Sequence, residues 1–168
     1  MMRQITTVCG LGLLRPAPGT WASAAAALLG WGAYWLAGLP LVAALAALAV
    51  LAGFRAVAAE LAGRPGEDPS EIVIDEVAGM LLALAFPAAA FWLGRGWEGW
   101  LPWPAVVFPF LFFRLFDIWK PWLVGRADRR GDVAGVMLDD LWAGLFAGLA
   151  SVAAAILYHV PLALMAGP

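Results

Sequence analysis

The chain alternates long apolar runs with short stretches that hold most of its charge. A bilayer core needs about 20 apolar residues per helix. Trp21 to Phe54 carries no charged residue and is too long for one crossing, and Gly38-Leu39-Pro40 divides it, because Gly and Pro punctuate helices. The pattern predicts spans over about 21–38, 40–60, 72–94, 104–120 and 137–159, joined by loops at 63–71, 95–104 and 122–136. Pro109 is expected to break the fourth span and Pro121 to end it, since proline cannot continue a helix interior. The expected fold is all-α, an integral membrane helical bundle of about five spans forming a single domain over 1–168.

Composition strengthens this picture. Of 168 residues, 64% are hydrophobic and 13% charged, with a mean hydropathy of +0.86; a soluble domain carries about a quarter charged residues. The net charge of −2 says little about partners, and no basic tract points to nucleic acid, so no nucleic-acid partner is expected. Met1 to Leu14 lack a clean apolar core with a small-residue cleavage site, so no removable leader is expected. Cys9 is the single cysteine and His159 the single histidine. That excludes an intrachain disulfide and argues against zinc.

With five spans, one face receives the N-terminus and the loops near 60–75 and 120–138. Arg3, Arg15, Arg64, Lys120, Arg126, Arg129 and Arg130 lie on that face, Arg55 and Arg114 on adjoining helix ends, and only Arg95 on the other. Positive charge marks the cytoplasmic side. Tryptophan favours the membrane–water boundary. Trp21, Trp119, Trp122 and Trp142 fall at the cytoplasmic boundary and Trp35, Trp92, Trp97, Trp100 and Trp103 at the outer one, with Trp31 less clearly placed.

The same topology gathers Asp75, Glu76, Asp117, Asp139 and Asp140 at one depth from three spans. Carboxylates at a membrane edge are costly and usually functional. Acids near helix N-termini can also serve only to complement the helix dipole. That explanation suits Asp75, Glu76, Asp139 and Asp140, but not Asp117 near a helix C-terminus. Clustered carboxylates repel unless a cation or proton separates them. Oxygen-only donors favour magnesium, calcium or manganese over zinc, and magnesium commonly takes one or two carboxylates plus water and phosphate.

Arg114 and Lys120 stand three residues either side of Asp117, on its helix face. They can grip phosphate oxygens or simply form a salt-bridge ladder. In Pro18-Gly19-Thr20-Trp21-Ala22-Ser23, Thr20 is expected to cap the first span, and a helix N-terminus with hydroxyls also binds phosphate. Cys9 and Arg15 have the Cys-x5-Arg spacing of cysteine-dependent phosphatases. Eight preceding residues cannot build the sheet such a loop requires, so this stretch is read as a flexible Gly-rich lead-in.

Together these motifs resemble the phosphatidylglycerophosphatase A family of bacterial membrane phosphatases. The pieces are Gly10-Leu11-Gly12 with Ala17-Pro18-Gly19-Thr20, then Ile74-Asp75-Glu76-Val77-Ala78-Gly79, then Phe113 through Trp122, and finally Val136-Met137-Leu138-Asp139-Asp140 with Ala143-Gly144. Departures are Ala22 in place of a usual Gly, Leu123-Val124 in place of Pro-Ile, and a shorter, less glycine-rich segment at 130–135.

The resemblance implies magnesium-dependent removal of the terminal phosphate from phosphatidylglycerophosphate, an anionic phospholipid, to give phosphatidylglycerol. It places the protein in the bacterial inner membrane with the site facing the cytoplasm. On this reading Glu76, Asp117, Asp139 and Asp140, or a subset, hold Mg2+, and Asp75 is general base or a further ligand. Arg114 and Lys120 stabilise phosphate charge, while Thr20 and Ser23 orient it. A small ion or solute transporter with an acidic site at the membrane boundary is the alternative, and a structural subunit with capping acids a third reading.

Overall fold

A computed structural model describes residues 2–62, 69–95 and 99–166, with the side chains of Arg95 and of residues 160–166 excepted. Arg64, Trp97 and most of the predicted 63–71 loop therefore lie outside the described residues. The described chain forms α1 (Met2–Thr6), a 3-10 turn (Leu11–Leu13), α2 (Pro18–Ala37), α3 (Leu39–Leu61), α4 (Ile74–Arg95), α5 (Pro104–Trp119), α6 (Leu123–Asp128) and α7 (Val133–Ala166). Among the described residues there is no strand.

The all-α expectation holds. Three helices are long and apolar enough to cross a membrane among the described residues: Leu39–Leu61, Ile74–Gly94 and Val133–His159. The predicted count of about five exceeds this. In α2, Gly, Trp and Tyr dilute the apolar run. The 16 residues of α5 rise only about 24 Å, short of a hydrocarbon core of about 30 Å.

The central helix is α4. Half of its apolar window is buried within the bundle, against 28% for α3 and α7. It packs against α2, α3, α5 and most extensively α7. Its Met80, Leu81, Ala83 and Leu84 are at most 1% exposed. The helix meeting α4 from α2 presents Gly19, Ala22, Ser23, Ala26, Ala27 and Gly30, all buried. Small residues let helix backbones approach closely where no water drives association. Outward-facing Leu28, Leu48, Leu51, Leu93 and Leu157 are exposed, as a lipid-facing surface requires. Trp21, Trp119 and Trp122 at one end, and Trp35, Trp100 and Trp103 at the other, are exposed as well.

Four local expectations are corrected. Pro109 does not break α5, which runs through it, and the proline is buried against its neighbours. Thr20 is not the cap of α2: the helix starts at Pro18 with Ala17 at the cap position, because proline's fixed φ suits the first helical turn. The stretch before α2 is packed against its neighbours: Gly12 N–H donates to the Thr7 carbonyl at 3.0 Å, and a Cβ on Gly12 would collide with the Glu71 carbonyl. Thr6 Oγ1 donates to Glu60 Oε2 at 2.5 Å, Val73 N–H donates to the Thr6 carbonyl at 2.9 Å, and Arg3 pairs with Glu71 at 2.8 Å. Finally, α7 starts at Val133, ahead of the predicted Met137. Asp132 Oδ1 accepts the Gly135 N–H at 2.7 Å, a side-chain cap that begins the helix early. The hydrogen bond from Arg130, then that from Gly135, holds the Asp132 carboxyl below its usual pKa.

Candidate active site

Asp75 and Glu76 lie in the first turn of α4. Because α7 begins at Val133, its first turn contains no acid, and Asp139 and Asp140 sit further along the helix. Complementing the dipole falls off within the first turn, so it does not account for these two. Asp75, Asp139 and Asp140 are 7%, 8% and 4% exposed. Burying carboxylates at that depth is costly unless something compensates them.

What brings α4 and α7 together is a glycine crossing. A Cβ on Gly79 would collide with the Asp140 carbonyl and the Phe113 ring, and one on Gly144 would collide with the Gly79 carbonyl. With both side chains absent, the two backbones touch directly beside Asp140. Carboxylate oxygens of Asp75, Glu76 and Asp140 then lie within 4.8 Å of one another, a grouping able to hold a metal ion. Glu76 Oε2 and Asp140 Oδ1 are buried without a hydrogen-bond partner among the described residues. Bare, buried carboxylate oxygens facing a common space fit a bound cation. Oxygen-only donors fit magnesium, manganese or calcium.

The remaining predicted acids are paired with cations. Asp117 Oδ2 lies 2.6 Å from Arg114 Nη1 across one helical turn. That ion pair lacks hydrogen-bond alignment, and Arg114 Nε and Nη1 remain buried without a hydrogen-bond partner among the described residues. Asp139 Oδ2 accepts from Lys120 Nζ at 3.1 Å, and Asp139 Oδ1 accepts the Asp140 N–H at 3.0 Å. Asp117 still acts electrostatically on Glu76, Asp139 and Asp140. The five acids therefore divide into a close trio, Asp75, Glu76 and Asp140, with bare oxygens on Glu76 and Asp140, and two carboxylates, Asp117 and Asp139, each holding a cation at its edge.

Arg114 and Lys120 do not form one ladder with Asp117. Lys120 follows the last residue of α5 with φ 51°, a left-handed conformation, and its N–H donates to the Phe116 carbonyl at 2.8 Å. This conformation turns its side chain away from Asp117 toward α6 and α7. There the ammonium pairs with Asp139 and also with Asp128 at the end of α6. Partial burial disfavours its charge, yet the bonds to Asp128 and Asp139 outweigh burial and hold its pKa above the ordinary lysine value. Asp128 is absent from the predicted set. Only its spacing of eight from Lys120 across a turn hinted at the contact.

The start of α2 closes the site. A Cβ on Gly19 would overlap the Glu76 carboxylate and come within 3.3 Å of Arg114 Nη1, so the glycine leaves the first turn of α2 open against both groups. Thr20 is half-buried in that turn. Ser23 is buried one turn on, with Oγ donating to the Gly19 carbonyl at 2.6 Å. Its proton is committed to the helix, and its lone pairs remain. Cys9 and Arg15 are both exposed on a turn without the strand that a cysteine-phosphatase loop needs.

The family profile described as phosphatidylglycerophosphatase A matches residues 4–155. A Haemophilus influenzae phosphatidylglycerophosphatase A is 33% identical over 139 residues, 82% of this chain and 78% of that protein. A Bacteroides thetaiotaomicron protein provisionally named phosphatidylinositol-3-phosphatase is 36% identical over 148 residues, 84% of this chain and 86% of that one. The Escherichia coli phosphatidylglycerophosphatase A is 34% identical over 106 residues, 58% of this chain and 50% of that protein. No solved structure matches. The profile spans every element that carries the acids, Arg114, Lys120 and Gly19, and the chain belongs to the phosphatidylglycerophosphatase A family of membrane phosphatases.

Proposed function

We propose that the protein hydrolyses the terminal phosphate of phosphatidylglycerophosphate to phosphatidylglycerol, using magnesium held at Asp75, Glu76 and Asp140. The observation that carries this reading is the meeting of bare, buried carboxylate oxygens on Glu76 and Asp140 with Arg114 guanidinium nitrogens that lack a hydrogen-bond partner among the described residues. That pairing of chemistries suits a cation and a phosphate side by side. When bound, magnesium supplies charge neutralisation on phosphate and a lowered pKa for a coordinated water. The chain's own groups do the rest. Asp75 accepts a proton from the attacking water or serves as a ligand. Arg114 and Lys120 donate to the phosphate oxygens as charge builds on them. Thr20 and the Gly19 turn orient the phosphate, and Ser23 braces that turn through its bond to the Gly19 carbonyl. Water adds to phosphorus as the bond to the glycerol oxygen breaks, giving inorganic phosphate and the lipid alcohol. Asp117 and Asp139 keep the two cations in place and are further candidate ligands. The whole chain acts as one domain.

The site faces the cytoplasm of a bacterial inner membrane. The bias of basic residues toward the end that bears the acids supports this orientation. Exposed Cys9 reports it directly. A membrane-impermeant thiol reagent should leave Cys9 unlabelled in intact spheroplasts and label it after permeabilisation; labelling of intact cells reverses the orientation. The substrate is tested by phosphate release from mixed micelles of phosphatidylglycerophosphate, phosphatidylinositol 3-phosphate or phosphatidic acid. The highest kcat/KM is expected for the first. A preference for the inositol lipid moves the assignment toward the activity for which the Bacteroides relative is named.

A further inference from the structure

An ammonium group has three donors, and on Lys120 two of them are occupied, one by Asp139 on α7 and one by Asp128 on α6. A lysine on a flexible four-carbon stem is a mobile charge unless something pins it. Here the pinning begins in the backbone. Lys120 and Trp122 both take left-handed φ values, 51° and 45°, although neither is glycine. Non-glycine residues stay in that region only where surrounding structure enforces it. The following helix, α6, is what packs onto this turn: Val124 N–H donates to the Pro121 carbonyl and Arg126 N–H to the Trp122 carbonyl. A Cβ on Gly125 would sit 2.5 Å from the Lys120 carbonyl oxygen, so α6 folds back against Lys120 itself. That return delivers Asp128 to the ammonium. An acid at the C-terminal end of a helix gains nothing from the helix dipole, so the position of Asp128 is explained by Lys120 and not by α6.

We propose that Asp128 is a positioning residue for the phosphatase reaction: with Asp139 it fixes the Lys120 ammonium so that its third donor stays directed at the substrate phosphate. Short helix α6 exists in the site to deliver this carboxylate. The inference rests on the catalytic reading of Lys120 given above. It differs from a purely structural role for Asp128, because its effect must pass entirely through Lys120.

The test is steady-state kinetics on phosphatidylglycerophosphate micelles with magnesium, for the wild type, Asp128→Asn, Asp128→Glu, Lys120→Met and the Asp128→Asn/Lys120→Met double variant. Asp128→Asn should lose about tenfold in kcat with KM changed less than about twofold, the scale on which losing the partner of a reacting group is felt. Asp128→Glu should restore part of the loss. In the Lys120→Met background, Asp128→Asn should have no further effect, since residues acting as one unit are not additive. Additive losses in the double variant, or wild-type kcat for Asp128→Asn beside an impaired Lys120→Met, overturn the positioning role and leave the phosphatase reading intact. Wild-type kcat for Lys120→Met removes Lys120 from the reaction and overturns both.

Discussion

At one end of the bundle, Asp75, Glu76, Asp140, Asp117, Asp139, Arg114 and Lys120 converge from α4, α5, the turn after it, and α7. At the other, about 24 Å further along α2 by helical rise, Trp35 stacks on Trp100 with centroids 5.1 Å apart. Trp31 meets Trp100 edge-on at 5.2 Å, and Trp31 Nε1 donates to the Leu101 carbonyl at 2.8 Å. No Asp, Glu, Lys or Arg side chain is described there. In the aromatic end the Trp31 indole N–H finds its partner and the rings pack on one another. In the acidic end four buried atoms have no hydrogen-bond partner among the described residues. A helical bundle that satisfies itself at one end and leaves polar atoms bare at the other spends stability only where a ligand restores it.

The comparison breaks most sharply if the bare oxygens do not matter. Asp140→Asn keeps the shape and removes the charge, and phosphate release should fall to background in a variant that still inserts and elutes as wild type. Wild-type activity in that variant would show the acids to be structural. Next in size come the cations. Arg114→Ala and Lys120→Met should each lose on the order of 100-fold or more in kcat, the usual cost of removing a charged donor from a phosphate in the transition state. The single-turnover rate with saturating lipid measures it.

The glycine crossing sharpens the contrast at an intermediate scale. Gly79→Ala places a methyl group against the Asp140 carbonyl, and overpacking of this kind costs about 1–3 kcal/mol. Thermal unfolding in detergent should register the loss, and activity should fall with it as the acids of α4 and α7 are pushed apart. Activity retained alongside a lowered midpoint would mean the trio tolerates separation. The smallest effect belongs to the aromatic end. Trp31→Phe removes the bond to Leu101, worth about 0.5–1.5 kcal/mol, and kcat should not change. A rate change there would couple the two ends and contradict their division of labour.

How far the sequence carried these conclusions differs between the same two ends. Charge-free runs and the Gly38-Leu39-Pro40 break marked α2 and α3 to within a few residues. At that break Gly38 takes φ +68° against the Trp92 ring. The face on which the acids meet was legible from topology alone. The short elements were not. Five-residue α1 and six-residue α6 are too brief to show a helical period, and they hold because Glu60 and Val73 bond to Thr6 of α1 and the Lys120 carbonyl packs against Gly125 of α6. Which acid stays bare and which pairs a cation was also hidden. It turns on the left-handed turn at Lys120, which Pro121 made improbable for a helix to continue but did not specify. Trp31, hard to place from the sequence, has its reason in the carbonyl of Leu101, a residue 70 positions away.

The most direct test of the account is phosphate release by the purified protein in detergent under control of divalent metal, with Cys9→Ser measured alongside. Chelation should abolish turnover of phosphatidylglycerophosphate, added magnesium should restore it, and Cys9→Ser should behave as wild type throughout. Turnover that survives chelation while Cys9→Ser is inactive would contradict the metal reading of Asp75, Glu76 and Asp140 and transfer the chemistry to the exposed Cys9 turn.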